Sequence, residues 1–249
     1  MSLTDILQTL RKKKGRISLA PEKAFVTTWE DQTRTHKSTG PFSIPNKIIH
    51  LCINEISIIL SDIFNLSLTT GRFLTKLKSA KVIPLYKNKG SEQEISNFRP
   101  IALLSNLDKI FEKLAHKRFI QFLDKNKTIF DRQFGFHKNH STNNNLLCLS
   151  EAFREKLDKG EFSCGIFLDL QKAFDSDDHD ILLTELEYYG FRGATIKWIR
   201  FYLCDRKQYV SFEKVSSKSM PINYDVSQGS VLGPLFFLLY INDLSLIHI

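Results

Sequence analysis

Apolar residues recur at helical spacing in several stretches and gather into short runs in others. Ile48, Ile49, Cys52, Ile56, Ile59, Leu60, Ile63, Phe64 and Leu68 trace one stripe, which predicts a helix over about residues 45–69, ending near Gly71. Val82, Ile83 and Leu85 read as a short strand among Lys78, Lys81, Lys87 and Lys89, closed by a turn at Asn88 to Gly90. After Arg99 and Pro100 a helix is expected over about 110–125, with Ile110, Phe111, Leu114 and Phe119 inward and Lys109, Lys113, Lys117 and Arg118 outward. Another, over about 142–158, carries Leu146, Leu147, Leu149, Ala152 and Phe153.

The run Ile166, Phe167, Leu168 after Gly165 is too short for a buried helix and suits a buried strand, which delivers Asp169 at its end. Asp175, Asp177 and Asp178 follow as an acidic cluster. Asp178 or Asp180 is a plausible cap for a helix with Leu182, Leu186 and Tyr189 on one face and Gly190 at its end. Ile196, Trp198, Ile199 and Leu203 mark the next helix, RKQYVSF alternates as a strand facing the segment near Ile222 to Val226, and Val231 to Ile241 reads as a core helix. That last stretch is shorter than the roughly 20 residues a bilayer needs and contains Gly233 and Pro234, so no membrane partner is expected.

At 249 residues and 42% hydrophobic, the chain can bury a real core. A net charge of +8 and a pI near 9.2 fit a polyanionic partner and add weak support for one. Cys52, Cys148, Cys164 and Cys204 are dispersed, which suits a reduced, intracellular chain in the nucleus or cytoplasm. His137 and His140 form an H-x-x-H without further ligands at metal spacing and read as loop histidines. Asp5 and the basic run Lys12 to Lys14 do not make a secretory signal. Residues 1–36 read as an extension and 37–74 as an upstream helical segment.

The order F-x-D-x-x-K-A-F-D at Phe167 to Asp175 resembles the first catalytic motif of reverse transcriptases, most of all those of non-LTR retrotransposons. Further blocks resemble the same family in the same order. They are V-I-P-L-Y-K at Val82 to Lys87, N-F-R-P-I-A-L-L-S at Asn97 to Ser105, Q-F-G-F-H at Gln133 to His137, and S-Q-G-S-V-L-G-P at Ser227 to Pro234. K-S-T-G-P-F-S-I-P at Lys37 to Pro45 is a partial match, with Phe42 and Ser43 where the family has Asp and Gly. His137 replaces the usual Arg, and Asp225 and Ser227 replace the usual Gly and Pro.

The resemblance covers about residues 75–249 and implies an α+β fold, the fingers and palm of a right-hand polymerase, with helices packed on an antiparallel sheet. It implies that Asp169 is catalytic and binds the metal, and that Phe174 lies under the incoming sugar and rejects a 2′-hydroxyl. By position, Lys87 and Arg99 contact the triphosphate and template, while Gln228 and Gly229 support the incoming nucleotide and template. The implied cofactor is Mg2+, with Mn2+ as a substitute, and the partners are an RNA template, a DNA primer and deoxynucleoside triphosphates. The residue types suit that chemistry: phosphoryl transfer uses two divalent ions roughly 3.5–4 Å apart, hard oxygen ligands hold magnesium, and a guanidinium forks two phosphate oxygens. Gly135 lies between Phe134 and Phe136, aromatics that fit a core or a stacking platform equally.

The family's second metal-binding element, an Asp-Asp strand turn, is expected beyond Asp243, and the chain ends at Ile249, so an incomplete palm without a thumb is expected. Two readings follow. One is an RNA-directed DNA polymerase domain whose intact parent copies RNA into DNA, the fragment itself being inactive. The other is a degenerate, non-catalytic remnant that at most binds nucleic acid.

Overall fold

The computed structural model describes residues 40–42, 44–130, 132–137, 140–168, 178–213, 215–222 and 229–242. The expected extension, 1–36, lies outside them. The chain enters through two helices, α1 (Asn46–Leu51) and α2 (Ile53–Thr70), rather than one, because the backbone breaks at Cys52, with φ −103° and ψ 14°. Gly71 ends α2 in the left-handed region at φ 69°. A Cβ there would lie 2.9 Å from the Ala194 carbonyl oxygen, so glycine lets the helix end directly against the next layer.

The buried face of α2 keeps part of the predicted stripe, Phe64 and Leu68 with Ile56 and Leu60 half-buried beside them, but adds serines and leaves Ile59 and Ile63 exposed. Ser57, Ser61, Phe64, Ser67 and Leu68 face inward, while Ile58, Ile59 and Leu66 are exposed. Serines are small enough to let helices approach closely, and one of them is used: the Trp198 indole N–H donates to Ser67 Oγ at 3.1 Å. Hydrophobic period alone found part of this face and missed its serines.

Strand β1 (Ser79–Tyr86) pairs antiparallel with β2 (Phe98–Leu103), in the register Leu85↔Arg99 and Val82↔Ala102. Helix α3 (Asn106–Lys125) follows, its N-terminus capped by Ser105, whose Oγ accepts from the Asp108 N–H at 3.0 Å. Helix α4 (Thr142–Asp158) matches its expected span but buries none of its residues. Then come α5 (His179–Tyr188) and α6 (Ala194–Leu203). Strand β3 (Arg206–Phe212) runs parallel to β1, and β4 (Val215–Ser216) and β5 (Met220–Ile222) pair antiparallel with β3. Helix α7 (Gly233–Tyr240) closes the described chain.

The architecture is α+β, consistent with the fingers and palm of a reverse transcriptase. The sheet runs β2-β1-β3-β4, with β5 also on β3, and its pairings are antiparallel except β1 with β3. One core joins α2, α3, α5, α6 and α7 around an aromatic cluster. Phe64 stacks on Phe111 at 4.1 Å, and Trp198 meets Phe73, Phe111 and Phe119 edge-on. Aromatic pairs of this kind add stabilisation beyond their buried area.

The strand expected at Ile166 to Leu168 is not formed. These residues have no regular structure and are 75%, 80% and 87% exposed. A strand is held by the N–H and C=O groups of a neighbour, and among the described residues none lies beside this segment. Among those residues, too, no helix is long and apolar enough to cross a membrane.

Candidate functional site

The β1–β2 hairpin positions two of the expected site residues. Lys87 follows the last residue of β1, and its N–H donates to the Asn97 carbonyl at 2.9 Å, so the antiparallel ladder extends one step past Tyr86. Asn88 at φ 55° and Gly90 at φ 82° then turn the chain, as the sequence predicts. Lys87 Nζ donates to the Ser96 carbonyl at 2.7 Å, which holds the ammonium against the hairpin. Arg99 sits opposite Leu85 on β2 and is exposed.

Side chains alternate across a sheet, and partners in register share a face. Lys87 and Arg99 therefore share a face with Lys81, Ile83 and Leu85 of β1 and with Ile101 and Leu103 of β2. Lys207 and Tyr209 of β3 continue it. The result is a partly apolar surface rimmed by cations. It can meet a base or sugar with its apolar part and phosphates with its rim.

Gly229 comes to the same hairpin from far along the chain. Its φ is 126°, and a Cβ on it would collide with the Ala102 carbonyl oxygen of β2. Only glycine lets this turn lie directly on the strand. Ala102 is three residues from Arg99, about 10 Å along a strand. The structure thus brings Lys87, Arg99 and Gly229 to one hairpin. Asp169, Phe174 and Gln228, like Asp175 and Asp177, lie outside the described residues.

Asp178 caps α5, its carboxylate accepting from the N–H groups of Asp180 at 2.8 Å and Ile181 at 3.3 Å. Asp180 pairs with Arg200 at 3.7 Å. Among the described residues no three His, Cys, Asp or Glu are grouped so as to hold a metal ion. His137 and His140 contact each other through their Nδ1 atoms at 2.7 Å.

Sequence reading missed a buried polar cluster behind the hairpin. Glu112 of α3 is fully buried; it accepts the Tyr202 hydroxyl at 2.5 Å on one oxygen and the Val231 N–H on the other. The backbone N–H groups of Val231 and Leu232 favour the charged form of this carboxylate. Arg206, at the start of β3, pairs with Asp108 at 3.5 Å, lies 4.7 Å from the Tyr202 ring centroid and donates to the Tyr202 carbonyl. Burial, and then the charge of Glu112, push Asp108 well above the usual carboxylate range against the pull of Arg206. Glu112 is raised by burial, and the Tyr202 hydroxyl is pushed well up by burial and by Glu112. Burial lowers Arg206, but Tyr202, Asp108 and Glu112 together outweigh it and raise it. The signal was present: Asp108 and Glu112 stand one helical turn apart on the face of α3 that also carries Phe111 and Ala115.

Residues 86–247 match the family described as reverse transcriptase (RNA-dependent DNA polymerase). The chain is 31% identical over 244 residues to the RNA-directed DNA polymerase from mobile element jockey of Drosophila melanogaster, covering 98% of this chain and 25% of that protein. It is 30% identical over 214 residues to the probable RNA-directed DNA polymerase from transposon BS of the same organism, covering 84% of this chain and 23% of that protein. A third relative is the probable RNA-directed DNA polymerase from its transposon X-element, 27% identical over 215 residues, covering 84% of this chain and 23% of that protein. The chain spans about a quarter of the length of these curated relatives. A family match over most of the chain decides the matter: the chain belongs to the reverse transcriptase family.

Proposed function

We propose that this chain is the fingers and palm portion of an RNA-directed DNA polymerase that extends a DNA primer on an RNA template. The observation that carries the reading is the seat of Gly229 on the Ala102 carbonyl, which puts the turn before α7 on the strand that bears Arg99. Lys87 and Arg99 would hold the triphosphate, Phe174 would lie under the sugar, and Gln228 with Gly229 would support the new base pair. Gln228 offers both a donor and an acceptor. Asp169 is a hard oxygen donor of the type that holds a divalent ion such as Mg2+, or Mn2+ in its place. That ion supplies charge neutralisation at the reacting phosphate. The face that Lys87, Arg99 and their neighbours share fits a nucleic-acid partner bound mainly through phosphates. Such a protein would work inside the cell, in the nucleus or cytoplasm, where RNA templates are found.

Ile166 to Leu168, exposed and without a strand partner among the described residues, favour a second reading for these 249 residues alone, namely nucleic-acid binding without catalysis. Primer extension on an RNA template with magnesium or manganese separates the two. In the full polypeptide that carries this chain, extension should be abolished by Asp169→Ala, and Lys87→Ala or Arg99→Ala should raise the KM for the nucleotide. Extension that survives Asp169→Ala would overturn the polymerase reading. The 249-residue chain should bind template with an affinity that falls steeply with salt and should not extend a primer.

A further inference from the structure

The turn that carries Gly229 is held at two points. On one side Gly229 rests on the Ala102 carbonyl, where any side chain would collide. On the other, the Val231 N–H donates to the buried carboxylate of Glu112. Between them the Ser230 hydroxyl accepts from the Gly233 N–H at 2.9 Å and starts α7. A carboxylate buried this deeply is costly unless hydrogen-bonded. Glu112 is satisfied on both oxygens, by Tyr202 on one and by the turn on the other. An apolar core residue could not hold the Val231 N–H of the turn while hydrogen-bonded to the Tyr202 hydroxyl of a neighbouring helix.

We propose that Glu112 is a positioning residue: its carboxylate fixes the turn from Gly229 to Leu232 on β2 and so sets where Gln228 and Gly229 meet the incoming nucleotide. The inference rests on the nucleotide-facing role given to that turn above. It assigns no contact with substrate to Glu112. The hydroxyl of Tyr202 is the internal control, because it donates to the same carboxylate and not to the turn.

The test is primer extension on an RNA template by the full polypeptide that carries this chain, with active protein titrated and KM and kcat for the nucleotide measured separately. Glu112→Met fills a similar volume without an acceptor and should raise KM about tenfold with kcat within about threefold. Glu112→Gln can turn its carbonyl oxygen to the Val231 N–H and its amide to a rotated Tyr202 hydroxyl, and should keep KM near that of the unmodified protein. Tyr202→Phe should lower thermal stability and leave KM unchanged. A purely structural Glu112 would behave like Tyr202, so a stability loss with unchanged KM in Glu112→Met overturns the proposal. Should that variant not fold, Glu112→Asp withdraws the carboxylate by one methylene; a raised KM supports the proposal and an unchanged one overturns it. Gln228→Ala separates the two layers of argument. If it raises KM and Glu112→Met does not, the positioning role alone falls; if Gln228→Ala leaves KM unchanged, the nucleotide-facing turn falls and the proposal with it.

Discussion

Helices α3 and α4 begin alike and end differently. Each has a serine cap whose hydroxyl accepts an N–H three residues on, Ser105 from Asp108 at 3.0 Å and Ser141 from Asn144 at 3.2 Å. Both carry apolar residues at helical spacing. Yet α3 buries Ile110, Phe111, Leu114, Ala115, Phe119 and Leu123, whereas α4 buries nothing, with Leu146 and Leu147 about 60% exposed. Local signals thus decide that a helix forms and where it starts. Whether its apolar face is buried depends on other elements: α2, α5, α6 and α7 pack with α3 in one core, while the described residues after α4, 159–168, are exposed.

Core truncation gives the largest contrast. Phe111 is fully buried and stacks on Phe64 and Phe73. Phe111→Ala should cost about 3–5 kcal/mol through lost burial and a cavity. Leu147→Ala on α4 should stay within about 0.5 kcal/mol. Urea denaturation of both variants checks the pair, and equal losses would mean that α4 is packed in solution.

A buried ion pair comes next. Removing Arg206 leaves the acidic pair of α3 without its cation, and Arg206→Met should cost about 3 kcal/mol. Adding Asp108→Asn should recover part of that loss, because the carboxyl that Arg206 offsets is then gone. The pH dependence has a fixed sign. A carboxyl raised in the fold contributes stability fully below its ordinary value of 3.8 and loses it as the pH rises through the raised value. The gain from Asp108→Asn in the Arg206→Met background should therefore grow with pH, which melting curves across a pH series would show.

How legible this was follows from the same contrast. Turns and caps were readable because their chemistry is local: Gly71, Asn88, Gly90 and Asp178 act within a few residues of themselves. Helix spans were readable too, α4 and the core helix near Val231 above all. Partners in space were not. The stripe of α2 named Phe64 and Leu68 but neither the buried serines beside them nor the exposure of Ile59 and Ile63, and Ile166 to Leu168 looked like a buried strand but has no described neighbour to pair with. Of the candidate site, Lys87, Arg99 and Gly229 were named through family resemblance alone. Their gathering on one hairpin needed the Ala102 contact, and Glu112 was hidden because a glutamate in a charged helix looks like a solvated one.

A smaller effect concerns His116 on α3. Partial burial lowers its pKa from the usual 6.5, so the fold prefers the neutral ring. Its contribution to stability is present above 6.5 and is lost as the pH falls through the lowered value. His116→Gln should flatten that part of the acid limb in a melting-temperature series, with an effect below that of Arg206→Met. An unchanged acid limb would show that the ring is solvated.

The smallest effect belongs to α4 and is the exposed counterpart of the Arg206 pair. Near its C-terminus Lys159 meets Glu155 at 2.6 Å and Lys156 meets Glu161 at 2.5 Å, with all four side chains about half exposed or more. Water and salt screen such pairs, and ordering two long side chains offsets most of the attraction, so each contributes about 0–0.5 kcal/mol. Lys159→Ala should therefore change the urea midpoint by little at low salt and by nothing measurable at high salt. Arg206→Met should lose nearly the same stability at both, since its partner is shielded from the counterions. A salt-independent loss at Lys159 as large as that at Arg206 would break the comparison, because it would require the end of α4 to be covered.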